Sequence, residues 1–122
     1  MEILSFVRRL SALAQASRLK VFRLLVVSGL EGVAAGDIAR KLGITPNTLS
    51  TQLGVLANAG MVSSRREGRS IIYAADYDAM GELLVYLMED CCQGRPEICE
   101  RAARAATRGA CASLPTSTLE RV

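Results

Sequence analysis

The 122-residue sequence predicts one mostly α-helical domain carrying a single small β-hairpin. Three observations lead there. Apolar residues recur every third and fourth position along most of the chain, the period of a helix with one buried face. A glycine followed by Thr45-Pro46 divides two short helical stretches, the punctuation that ends one helix and starts the next. β-branched residues flank Glu67-Gly68-Arg69, which argues two strands joined by a tight turn. A chain this long closes one core and seldom two. With 50% apolar residues, only 4% aromatic and no Trp, that core must be built from Leu, Val, Ile and Ala.

Ile3, Val7, Leu10 and Ala14, flanked by Phe6 and Leu13, give a first helix near 2–14. From Ser17 to Val27 the chain is apolar almost all round, as a central buried helix would be, and Gly29-Leu30-Glu31-Gly32 breaks it. Residues 35–42 form a short helix ending at Gly43, suited to the left-handed turn after a helix. Thr45 caps the next helix and Pro46 takes its first position, where a missing N–H costs nothing. Leu49, Leu53 and Leu56 are its inward stripe, and Ala59-Gly60 ends it. Two short helices joined by so brief a turn make a helix-turn-helix. Val62–Arg66 and Ser70–Ala74 follow as the hairpin strands. Asp76 caps a last long helix with Met80, Leu83, Leu84, Leu87 and Met88 on one face, running to about Cys91 before Gly94 and Pro96 stop it. Residues 97–108 suit another short helix, and the tail from Ser113 is expected to be mobile.

The order helix, helix, helix-turn-helix, hairpin, helix is that of a winged helix-turn-helix. In such a module the second helix of the pair enters the DNA major groove and its N-terminal residues reach base edges. Asn47, Thr48, Ser50, Thr51 and Gln52 are the outward candidates, short and polar enough for base-edge and phosphate hydrogen bonds. Arg65, Arg66 and Arg69 cluster at the hairpin tip, placed for phosphate or the minor groove, and Arg40 and Lys41 at the end of the preceding helix are placed for the backbone. Charge agrees: residues 1–75 hold ten Lys/Arg against four Asp/Glu, whereas 76–122 hold five against eight. A basic front half fits a polyanion, although a solvated surface could carry the same charge. No apolar run approaches the roughly 20 residues a bilayer requires. MEILSFVRRL lacks the basic-then-apolar order of a secretion signal, so the expected location is cytoplasmic, with no membrane partner.

AQASRLKVFRLL, AAGDIARKLGITPNTLSTQLGVLANAGMVSSRREGRSIIY and the vicinal cysteine pair resemble the ArsR/SmtB metalloregulators, in particular arsenic-responsive repressors with C-terminal cysteines. The likeness covers about residues 5–99. It implies a homodimer on a partly palindromic operator, first and last helices at the interface, and repression relieved when a metal or metalloid binds. Residues 1–92 would then be the DNA-binding and dimerisation domain, and 93–122 a cysteine-containing loop, short helix and tail. The sequence departs from that family in carrying Gln52 where a His is frequent and Gly54 near a frequent cation. It also lacks both the cysteine box, since DIARKL holds none, and the histidine that a zinc-sensing site on the last helix needs.

The absence of histidine also removes His-based acid–base catalysis and every His-containing metal site. Any special chemistry rests on Cys91, Cys92, Cys99 and Cys111, expected to be reduced in a cytoplasmic chain. Cys91 and Cys92 close the last helix, and the turn through Gly94 and Pro96 can carry Cys99 back over them. Three sulfurs facing one point suit As(III) or Sb(III) as inducer, with Cys111 optional; DNA binding itself needs no cofactor. Zinc on four thiolates competes, since soft thiolates suit it. It would leave a net negative site among Glu89, Asp90, Glu97 and Glu100, whereas arsenous acid condenses with three thiols without adding charge. A thiol-oxidation switch is the other alternative, opposed by a helix C-terminus and carboxylates that raise thiol pKa. A small thiol enzyme such as an arsenate reductase would need a phosphate-cradling loop beside a cysteine, and none is present, so no enzymatic activity is expected.

Overall fold

The computed structural model describes residues 2–107. Its order is α1 (Ile3–Leu13), α2 (Ala16–Ser28), β1 (Val33–Ala34), α3 (Ala35–Leu42), α4 (Pro46–Asn58), β2 (Val62–Glu67), β3 (Ser70–Ala75), α5 (Tyr77–Tyr86), a π-helical turn (Leu87–Cys91) and α6 (Pro96–Ala105). The fold is therefore mostly helical with a small antiparallel sheet, a winged helix-turn-helix. Cys111 and the expected tail from Ser113 lie outside the described residues.

Local chemistry sets the boundaries. Thr45 accepts from the Thr48 N–H at the start of α4, with Pro46 first in the helix. Asp76 does the same for α5, accepting from the Ala79 N–H at 3.0 Å. Gly43 closes α3 in the left-handed region, φ 65°. Gly32 has a stricter reason to be glycine: at φ 82° a Cβ would stand 2.6 Å from the Tyr73 carbonyl oxygen.

One expectation is extended and one corrected. The hairpin is part of a three-stranded sheet in the order β1-β3-β2, with Val33 opposite Tyr73 and Ala34 opposite Ile72. A two-residue strand is too short to reveal a period of two, so it leaves no signal in the sequence. The last long helix is not α-helical to Cys91; after Tyr86 it widens into the π turn. Such turns often mark functional positions.

Phe6, Val21, Leu25, Ile38, Leu49, Leu53, Leu56, Met61 and Leu83 are fully buried, and Val62 and Ala75 of the sheet are buried with them, so the core draws on α1 through α5 and the sheet. All three leucines of the predicted α4 stripe are among them. α2 is less enclosed than its composition implies, because Leu19 and Val26 remain exposed. On the outside, Ile3, Leu4 and Val7 of α1 and Leu84 and Val85 of α5 are each at least half exposed. No helix among the described residues is long and apolar enough to cross a membrane.

Candidate nucleic-acid interface and thiol cluster

Burying Leu49, Leu53 and Leu56 turns the opposite face of α4 outward. Asn47, Thr48, Ser50 and Thr51 are exposed there, all within the first turns after the cap. The Thr45 hydroxyl also donates to the Thr48 hydroxyl at 2.9 Å, and the Thr51 hydroxyl donates to the Asn47 carbonyl at 3.3 Å. Gln52 differs from the other candidates. It is half-buried, and Arg18 reaches its Oε1 at 3.5 Å.

The hairpin arginines are not equivalent. Arg65 pairs with Glu67 at 2.6 Å and donates to the Glu31 carbonyl at 2.7 Å, so it braces the wing against the loop before β1. Arg66 and Arg69 are exposed and without an ion-pair partner among the described residues. Arg40 pairs with Asp37 one turn back, while Lys41 is exposed.

Arg18 was not among the residues singled out from the sequence, yet a signal existed. It lies in the first turn of α2, where the helix dipole disfavours a cation. Its guanidinium turns back instead to the open carbonyls at the end of α1: Nε donates to Ala12 at 2.7 Å and Nη2 to Ser11 at 3.3 Å. A cation is favoured at that end of a helix. Arg9 was missed likewise. It joins α1 to α5 by donating to the Ala79 carbonyl and pairing with Glu82, each at 3.0 Å. Its guanidinium also lies 4.9 Å from the centre of the Phe6 ring, which stacks on Tyr86 with centroids 4.0 Å apart.

Tyr86 leads directly into the π turn that carries the cysteines. The Cys92 N–H donates to the Leu87 carbonyl at 3.0 Å, and Gln93 then takes a left-handed φ of 57° that reverses the chain into α6. Cys91 is exposed; Cys92 and Cys99 are half-buried, and all three are free thiols. The Cys99 thiol donates to the Met88 carbonyl at 3.7 Å. Burial pushes the Cys92 thiol above its ordinary pKa, and the charge of Cys91, a hydrogen bond with it and the charge of Cys99 add to that. The reversal sets Cys99 close enough for its charge to act on Cys92. It does not close three sulfurs onto one point: among the described residues no three His, Cys, Asp or Glu groups are arranged to hold a metal ion. Cys91, the last residue of the π turn, is exposed, whereas Cys92 just beyond it and Cys99 on α6 are half-buried.

Comparison with known proteins accords with this geometry. A family pattern described as a helix-turn-helix domain matches residues 13–65, from the end of α1 into the wing. The chain is 39% identical over 98 residues to the HTH-type transcriptional regulator CmtR of Mycobacterium bovis, covering 75% of this chain and 78% of CmtR. It is 36% identical over 75 residues to the nodulation protein NolR of Rhizobium meliloti, covering 62% of this chain but only 59% of NolR. Among solved structures, the homodimeric winged helix-turn-helix DNA-binding domain Mb0332 of Mycobacterium bovis, a possible ArsR-family transcriptional regulator, superposes with a TM-score of 0.58 at 32% identity, covering 70% of this chain and 79% of that one.

Proposed function

Because the chain belongs to the ArsR-type helix-turn-helix transcriptional regulators, we propose that it is a homodimeric repressor that leaves its operator when Cys91, Cys92 and Cys99 capture As(III) or Sb(III). Thr48, Ser50 and Thr51, with Asn47 and Gln52 beside them, read bases in the major groove. Arg66 and Arg69 meet phosphate or the minor groove, and Arg40 and Lys41 steady the backbone. The exposed polar turn at the capped start of α4 is the observation that supports this assignment.

For the inducer, the supporting observation is that three free thiols are gathered around one helix end in a chain without histidine. Each thiol would exchange its S–H for a bond to the metalloid, the three hydroxyls of arsenous acid leaving as water. No charge is added, which suits surroundings where Arg95 is already engaged by Glu97 and Arg104 by Glu100. Zinc would instead build up negative charge close to Glu89 and Asp90, which have no ion-pair partner among the described residues. Oxidation is less favoured at Cys92, where the raised pKa holds back the thiolate that reacts.

A titration decides among them: the protein bound to the DNA upstream of its own gene, under reducing conditions, against arsenite, zinc and peroxide in turn. Release by arsenite at stoichiometric concentration is expected. Release by zinc or peroxide alone would replace the metalloid reading.

A further inference from the structure

Arg18 stands where three helices meet. It belongs to α2, its Nε and Nη2 hold the last carbonyls of α1, and its Nη1 reaches Gln52 in the middle of α4. Its own backbone N–H is fixed by the Gln15 side chain at 2.9 Å. The side chain is therefore oriented at both ends and half-buried. Gln52 lies one turn, about 5.4 Å, behind Thr48 on the same stripe of α4. What Arg18 reaches, at 3.5 Å, is the helix that carries the proposed reading face, one turn behind it.

The other end of α1 carries the exposed Ile3, Leu4 and Val7, the surface that dimerisation would cover. A two-fold dimer must set its reading helices about 34–36 Å apart to enter successive major grooves. Within each protomer, Arg18 joins the end of α1 to the side of α4 through one planar, forked cation.

We infer that Arg18 is a positioning residue for operator reading: it fixes the angle of the recognition helix against the dimer helix and so sets the distance between the two reading heads. It does so without contributing a phosphate contact. This rests on the chain being a sequence-specific, dimeric DNA binder, and the experiment separates the two claims.

Operators are first selected from a random duplex library with the wild-type protein. Affinity is then measured on the selected site and on versions with one base pair inserted or removed between half-sites. For Arg18→Met, affinity for the selected site should fall about tenfold, a modest coupling between sites, and the penalty for altered spacing should shrink. Affinity for random-sequence DNA and the slope of log affinity against log salt should stay at wild-type values. Losing a phosphate contact would instead weaken all DNA alike and lower that slope by about one. Arg18→Lys keeps the charge but not the fork, so it should relax spacing as Arg18→Met does; it also serves if the methionine variant fails to fold. Wild-type spacing discrimination in both variants, or a reduced salt slope with discrimination intact, overturns the inference. If the wild type enriches no duplex at all, the regulator reading falls first and the inference with it.

Discussion

The side chains of the wing divide by what already holds them. Arg65 is engaged by Glu67 and the Glu31 carbonyl, whereas Arg66 and Arg69 are open to solvent. Replacing Arg66 and Arg69 together by Ala should therefore weaken binding to every duplex and lower the salt slope by about two. Arg65→Ala should leave the slope nearer wild type. Fluorescence anisotropy across a potassium chloride series measures both, and an unchanged slope in the double variant would remove the wing from the DNA interface. The cysteines invite a separate prediction. Cys91→Ser, Cys92→Ser or Cys99→Ser should each abolish release at the arsenite concentration that frees the wild type, because the third sulfur bond is nearly intramolecular once two have formed. DNA affinity without arsenite should not change, and Cys111→Ser should be mild. A gel-shift titration of the four variants reads this directly. Residue types at fixed spacing were enough to nominate these positions, but not to show which were already engaged. That Arg65 is braced and Gln52 is held by Arg18 depends on partners 34 positions away in the chain.

Among the elements, α1 and α5 are tied most specifically, through Arg9. Its donation to Ala79, its pair with Glu82 and its place over the Phe6–Tyr86 stack all lie on this one helix contact. The Arg9 side chain is only 14% exposed. Arg9→Met should destabilise the fold by about 1–3 kcal/mol, the range for losing a partly buried hydrogen bond to a charged group. It should do so without touching the thiols; the urea midpoint and a thiol count would show both. The end of α3 and the starts of α4 and α5 were legible because Gly43, Thr45-Pro46 and Asp76 are local signals with local causes. β1 was not legible, since its two residues become a strand only by pairing with Tyr73 and Ile72. Nor was the π turn, because Leu87–Cys91 carries no breaker of its own and the chain reverses only at Gln93 and Gly94. The sequence could gather the three cysteines at one end of the fold, but not foresee that they stop short of a common centre.

For the whole molecule, the apolar residues left outside the core argue for a second copy. Ile3, Leu4 and Val7 on α1 and Leu84 and Val85 on α5 are each at least half exposed, apolar surface that a second copy would cover. Light scattering at micromolar concentration should report a dimer. Val7→Glu combined with Leu84→Glu should give a folded monomer that has lost operator binding, and a wild-type monomer would contradict the assembly. The thiol-bearing end is built quite differently. Neither the π turn nor α6 contributes a buried residue. Substitutions on such a surface usually move stability by no more than about 0.5 kcal/mol. Selection can therefore rework the thiol-bearing end at little cost to folding, adding, moving or deleting a cysteine, while packing holds the helix-turn-helix half nearly fixed. If the division proposed above holds, a lineage built this way exchanges one ligand for another without remaking the surface that meets DNA.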